Sequence, residues 1–103
     1  MAYDLFVTEA ANEDLDDALG YIAEDLSNPA AAKNLLDKVE FCYQQLKEFP
    51  LLYESCHDLR LRHQGYRKVV IGNYVLIYRP VENEQKIYIL RFFYGSRDYE
   101  KLI

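Results

Sequence analysis

The chain has 103 residues, half of them hydrophobic, with ten tyrosines, five phenylalanines and no tryptophan. A chain this short buries only about 60–70% of its extended surface, so a single domain over residues 1–103 is expected; disorder and a deep cofactor pocket are excluded. The net charge of −5 is uneven: residues 1–50 carry three lysines against eleven acids, whereas residues 51–103 carry nine cations, all six arginines among them, against six acids. Overall acidity therefore leaves room for a local basic face that could meet phosphate.

The opening residues 1–7 have neither the basic region nor the long apolar run of a secretory signal. No stretch approaches the roughly 18 apolar residues of a membrane span, so a cytoplasmic protein without membrane contact is expected. Residues 3–7 are short, apolar and β-prone, which predicts a first strand. Thr8 follows as a hydroxyl cap, with Glu9, Glu13 and Asp14 in the first turns, where exposed N–H groups favour negative charge. Leu15, Ala18, Leu19, Ile22 and Leu26 recur at helical spacing and predict an amphipathic helix over 9–26. Ser27-Asn28-Pro29 then interrupts the chain, Asn28 as a cap and Pro29 at a first helical position, where its missing N–H costs nothing. Ala32, Leu35, Leu36, Val39, Cys42, Tyr43 and Leu46 line one face of a second helix to about 47, which Phe49-Pro50 ends. The short link predicts an antiparallel helical hairpin.

After Pro50 the period changes. Leu59-Arg60-Leu61-Arg62 alternates as in a half-exposed strand, with the leucines toward the core and the arginines together on the other side. Residues 66–71 and 74–79 predict two strands around the Gly72-Asn73 turn. Residues 80–85 form a polar turn, and 86–94 an apolar strand broken only by Arg91. The fold class is α+β in the order β-α-α-β-β-β, with one more short strand allowed. The helical hairpin is expected on one face of a three- to four-stranded antiparallel sheet, leaving the other face open to a partner.

The arginines are the strongest chemical feature. Arg60, Arg62, Arg67, Lys68 and Arg79 fall on predicted strands or their ends, where guanidinium groups sharing a sheet face could grip a polyphosphate backbone. The alternative is pairing with helix carboxylates. Arg67 and Lys68 are adjacent and must point to opposite faces. Arg91 is expected on the same side as Ile87, Ile89 and Phe93, half buried and paired with a carboxylate, because a buried guanidinium is costly alone. Cys42 and Cys56 read as unpaired thiols. Cys56-His57-Asp58 with His63 does not match a zinc spacing, so no metal is expected. Either histidine has the right intrinsic pKa for proton transfer, but no partner is identifiable, and both also fit ordinary loop positions. Tyr94 or Tyr99, near the end of the last strand, could stack a base or orient a phosphate. No nucleophile elbow, phosphate-cradling loop or dinucleotide fingerprint is present, and no cofactor is expected.

Six segments in order resemble the RelE/ParE toxins of type II toxin–antitoxin systems. They are Ala11-Asn12-Glu13-Asp14-Leu15 with Tyr21-Ile22, Asn28-Pro29-Ala30-Ala31-Ala32, Leu46 with Phe49-Pro50, Gly65-Tyr66-Arg67, Asn73-Tyr74 with Tyr78, and Tyr94-Gly95-Ser96-Arg97-Asp98-Tyr99. The resemblance implies a compact α+β fold, a cognate antitoxin that wraps the toxin, and one of two targets: messenger RNA cut on the ribosome, or DNA gyrase poisoned by binding. For metal-independent RNA cleavage it implies a basic residue at Arg97 and basic strand residues near Arg67 and Lys68; with the edge tyrosine and the strand arginines read above, the expected catalytic residues are Arg67, Arg97 and Tyr94, and Arg60, Arg62, Lys68 and Arg79 are expected to hold the nucleic acid. One departure stands out. RelE-like nucleases carry an arginine directly after the tyrosine of the middle strand, where this chain has Tyr74-Val75. A catalytically degraded member acting only as a protein-binding module is the alternative.

Overall fold

The computed structural model describes residues 2–95. Strand β1 (Asp4–Val7) leads into helix α1 (Glu9–Gly20), which runs on through one π-helical turn (Tyr21–Asp25). Helix α2 (Pro29–Glu48) completes the hairpin. A short helix α3 (Leu59–His63) precedes β2 (Arg67–Ile71), β3 (Tyr74–Val81) and β4 (Lys86–Tyr94), with a 3-10 turn at Glu82–Glu84 between the last two strands. No helix among the described residues is long and apolar enough to cross a membrane.

The sheet order is β1-β4-β3-β2. Strands β2, β3 and β4 form the expected antiparallel meander, but β1 lies parallel to β4, so the sheet is mixed. A parallel neighbour needs a long crossover, and here everything between the first and last strands supplies it. Thr8 locks this junction. Its N–H donates to the Ile89 carbonyl at 3.0 Å and its hydroxyl to the Leu90 carbonyl at 3.1 Å, while the hydroxyl oxygen accepts the Ala11 N–H at 3.2 Å. The same residue therefore ends β1, reaches β4 and caps α1. Asn28 caps α2 as expected, accepting the Ala31 N–H at 3.1 Å. The β2–β3 turn has Gly72 at φ +60 ahead of Asn73, whose φ is not positive, as a type II′ hairpin requires.

Helices α1 and α2 cover one face of the sheet, here called inner. Ala32, Leu35, Val39, Cys42 and Leu46 of α2, spaced three and four residues apart, are all buried, as are Ala11 and Leu15 of α1. All of these but Ala32 pack on Val69, Ile71, Leu76, Tyr78, Ile87, Ile89 and Phe92.

Three sequence expectations are corrected. First, the strand predicted at Leu59-Arg60-Leu61-Arg62 is the helix α3, whose first turn is capped by Asp58 accepting the Leu61 N–H at 3.1 Å. Only Leu61 is buried and Leu59 is 66% exposed; at 100° per residue Arg60 and Arg62 flank Leu61 on either side, not on one face. Four alternating residues do not define a strand when a capping aspartate offers a helical turn instead. Second, α1 does not keep its stripe inward to Leu26. The π-turn, closed by the Leu26 N–H on the Tyr21 carbonyl at 3.0 Å, adds a residue to the turn, and Tyr21 and Leu26 emerge 52% and 56% exposed. Third, Arg91 does not share a face with Ile87 and Ile89. The β3–β4 register jumps from Ile77↔Arg91 to Tyr78↔Ile89, so Leu90 is an inserted bulge residue that turns Arg91 and Phe93 to the outer face.

Candidate functional site

The expected gathering of guanidinium groups on an open outer face does not form. That face carries α3, which buries Cys56, Leu61, Val75 and Ile77 in a second apolar cluster. Arg67 and Lys68 do point to opposite faces, paired across the ladder with inner Tyr78 and outer Ile77. Arg67 donates to the Tyr53 carbonyl at 2.6 Å, and Lys68, its side chain 18% exposed, lies 3.7 Å from a Glu54 carboxylate oxygen. Arg62 donates to the Cys56 carbonyl at 3.3 Å. Arg60 is exposed on α3, and Arg79 is exposed on the outer side of β3, where it lines a shallow depression with His63 and Glu82. Arg97 and Tyr99 lie outside the described residues.

Tyr94 is half exposed at the far end of β4. The registers Arg67↔Tyr78 and Tyr74↔Tyr94 put Tyr94 four residues along and two strands over from Arg67. At about 3.3 Å per residue and about 4.8 Å per strand, their Cα atoms are on the order of 16 Å apart. Of the sequence-derived catalytic set, Arg67 and Tyr94 are the members among the described residues, and the structure does not bring them together. Among the described residues no group of three or more His, Cys, Asp or Glu is placed to hold a metal ion.

What the chain does build is a groove of about 840 Å³ between the end of α1, its π-turn and the open end of the β3–β4 hairpin. Its apolar lining comes from Ala18, Tyr21, Ile22, Leu26, Tyr74 and Tyr94. Tyr74 stacks on Phe92, ring centroids 4.9 Å apart and 9° from parallel, and meets Tyr94 edge-on at 5.6 Å. Burial raises the Tyr74 phenol above its ordinary pKa, and nearby Tyr94 and Tyr21 add to the shift. A neutral aromatic wall results.

The groove also exposes a strand edge. β1 pairs with β4 only as far as Ile89, so among the described residues 91–94 have no strand on the edge away from β3. Asp14 reaches over from α1 and closes the first part of this gap. Its carboxylate accepts from Arg91 Nε at 2.7 Å, from the second guanidinium nitrogen at 3.1 Å and from the Phe92 N–H at 3.0 Å. This fulfils the expectation that Arg91 would be half buried against a carboxylate, and the hydrogen bond it donates to Asp14 holds its proton more firmly than usual. The guanidinium also lies 4.6 Å from the centre of the Phe93 ring. Gly95 donates to the Asn73 carbonyl at 2.6 Å, so Phe93 and Gly95 face β3 while Phe92 and Tyr94 face the open edge.

Sequence reasoning had placed Tyr21 with a family motif, Ile22 and Leu26 with the core and Tyr74 with a strand interior. The available signal was a helical stripe longer than the helix could bury, on a segment with seven acids and no lysine or arginine between Glu9 and Asp25.

The comparisons with known proteins agree with this architecture. The backbone resembles the toxin–antitoxin complex RelBE2 from Mycobacterium tuberculosis, with TM-score 0.64, 22% identity, 91% of this chain covered and 99% of that one. It also resembles the chromosomal ParDE toxin–antitoxin system from P. aeruginosa, with TM-score 0.69, 18% identity, 90% of this chain covered and 96% of that one. At those identities the likeness shows the fold. No curated protein matches the sequence significantly. The family model for the ParE toxin of the type II toxin–antitoxin system parDE matches residues 5–99, nearly the whole chain. The chain belongs to the ParE toxin family of type II toxin–antitoxin systems.

Proposed function

We propose that this toxin acts by binding a protein target of the DNA gyrase kind, not by cutting messenger RNA, and that a cognate antitoxin silences it by laying an amphipathic segment into the groove beside α1. The observation that carries the choice of target is the dispersal of the cations among the described residues. Cleavage by an attacking ribose hydroxyl needs a proton-transfer group and a cation converging on one phosphate. Here Arg67 is committed to a backbone carbonyl, Lys68 sits beside a carboxylate on the opposite face, and Tyr94 is strands away. The residue after Tyr74 is a buried valine. Binding a protein needs no such convergence. The antitoxin part is supported by the two similar folds, both described as toxin–antitoxin systems, and by an apolar groove ending in an unpaired strand edge. Such grooves and edges accept amphipathic helices or added strands.

The test is inducible expression in bacteria. Growth arrest with a DNA-damage response and intact messages is expected, relieved when the product of the neighbouring small reading frame is co-expressed. Arrest with cleaved messages and undamaged DNA would restore the nuclease reading, and harmless high-level expression would remove the toxin reading altogether.

A further inference from the structure

We infer that an apolar patch beside β2, at the sheet edge opposite the groove, is a self-association surface on which a second copy of this chain seats in a transient two-fold dimer. This goes beyond the target reading above and does not rest on it.

The patch is built by the segment that leads into α3. β2 ends the sheet order β1-β4-β3-β2, and that segment runs along its edge only as far as Lys68. Ser55 bridges to Arg67, the Lys68 N–H donates to the Glu54 carbonyl at 3.1 Å, and the Cys56 N–H donates to the Tyr66 carbonyl at 3.1 Å. This antiparallel register, carried on by two residues, places Leu52 beside Val70. Side-chain alternation agrees. Tyr53 meets inner Tyr78 edge-on at 6.5 Å, whereas Glu54 lies 3.7 Å from outer Lys68 and Cys56 joins the outer apolar cluster. Leu52 therefore falls on the outer side with Val70. The two are 53% and 66% exposed, and a turn closed by the Leu52 N–H on the Phe49 carbonyl at 3.1 Å brings half-exposed Phe49 and Leu51 to the same rim. Single exposed apolar residues are ordinary, but these four form one patch.

Local charge decides the occupant. Around the patch Lys47, Arg67 and Lys68 stand against Glu48 and Glu54, three cations against two acids, while the whole chain carries −5. Two copies meeting through the acidic helical half would repel; here they meet across nearly neutral ground. Glu54 is already answered by Lys68 within its own chain, and Arg67 by the Tyr53 carbonyl, so the partner needs no counter-charge. A two-fold axis supplies what remains, the same apolar patch from the other side. Because residues 54–56 already line the edge, the copies meet through side chains and not as a continuous sheet.

Size sets the strength. At roughly 100 Å² of exposed surface each, the four side chains present on the order of 400 Å². A stable dimer takes about 800 Å² from each partner, so association is expected with a Kd on the order of 100 µM.

The experiment is sedimentation equilibrium on the purified chain from about 5 to about 500 µM. The weight-average mass is expected to rise from one chain toward two, equally at low and high salt, because an apolar contact between neutral patches is not screened. Leu52→Glu and Val70→Lys each place a charge at an exposed position. Either should hold the chain at one copy throughout while its thermal transition stays put, and if one variant fails to fold the other carries the test. Leu26→Glu, in the groove, should leave the rise intact. A chain that stays single at the highest concentration overturns the inference and leaves the patch to a different protein. Association that survives both patch substitutions, or that disappears with Leu26→Glu, overturns it as well.

Discussion

Removing the Asp14 carboxylate should be the most damaging single polar change in this chain. Its side chain is 17% exposed and that of Arg91 is 32% exposed, so neither charge is fully hydrated nor fully buried. Asp14→Ala leaves the Phe92 N–H without its partner, which costs about 1–3 kcal/mol for a buried donor. It also strands a guanidinium. Breaking a fully buried pair costs about 3–5 kcal/mol, but a third-exposed arginine can turn to water, so only a fraction of that applies. Together these give a loss of about 2–3 kcal/mol. For a domain of this size that lowers Tm by roughly 10–20 °C. The measurement is urea unfolding with an unchanged m-value, which shows that stability and not compactness has moved. Asp14→Asn should recover about half the loss, since the amide oxygen can still accept the Phe92 N–H. Arg91→Met and the double variant complete a cycle with a coupling of about 1–2 kcal/mol. A loss under about 1 kcal/mol for Asp14→Ala, or additive single effects, would show that the clasp holds nothing.

Three further outcomes follow from the same geometry. The Tyr78 hydroxyl is buried without a hydrogen-bond partner of ordinary geometry, so Tyr78→Phe should leave stability unchanged or raise it by up to about 1 kcal/mol in urea unfolding. Burial pushes the Cys42 thiol up to about 11 and the Tyr43 phenol up to about 12. Because the folded pKa of each lies above its unfolded value, their contribution is whole below about pH 9 and is lost as pH climbs toward 12, at about 1.4 kcal/mol per unit for each group that titrates. Unfolding free energies at pH 8 and pH 11 check this, and equal values would contradict it. A Cβ at Gly95 would sit 2.9 Å from the Asn73 carbonyl oxygen, so Gly95→Ala should push the hairpin mouth apart. Faster amide exchange at residues 93–95 and a loss of about 1–2 kcal/mol are expected.

The elements legible in the sequence are those with long periodic stretches or explicit punctuation. Twenty residues of α2 carry an unbroken buried stripe behind an asparagine cap and a first-position proline, and β2 and β3 meet at Gly72-Asn73. Three features were not legible, each for a physical reason. The Leu59–His63 helix begins with four alternating residues, too few for periodicity to outweigh a capping aspartate. The bulge at Leu90 depends on how β4 meets β3, a pairing that no local pattern in β4 records. The π-turn adds a residue to the last turn, which rotates Leu26 out of a stripe that looks continuous. At the site, Arg91 could be assigned a carboxylate from cost alone, but not Asp14, which lies 77 residues away in the chain.

The loss of a cation cluster and the second core have a common cause. Val75 is 7% exposed beneath α3, packed with Cys56, Leu61 and Ile77. The family resemblance implies an arginine at this position in RelE-like nucleases. A guanidinium there would be stranded among apolar side chains unless α3 moved off the sheet, because an unpaired buried charge costs more than the cluster gains. Valine therefore lets α3 dock on the outer face, where Leu61 packs with Cys56, Val75 and Ile77. The same packing brings Arg67 to the Tyr53 carbonyl and Lys68 to Glu54 at the edges of the segment that leads into α3. With that face closed, the groove at the β4 edge remains a concave surface open among the described residues. That surface is apolar and acidic, not basic, which is the physical ground for expecting a protein to occupy it.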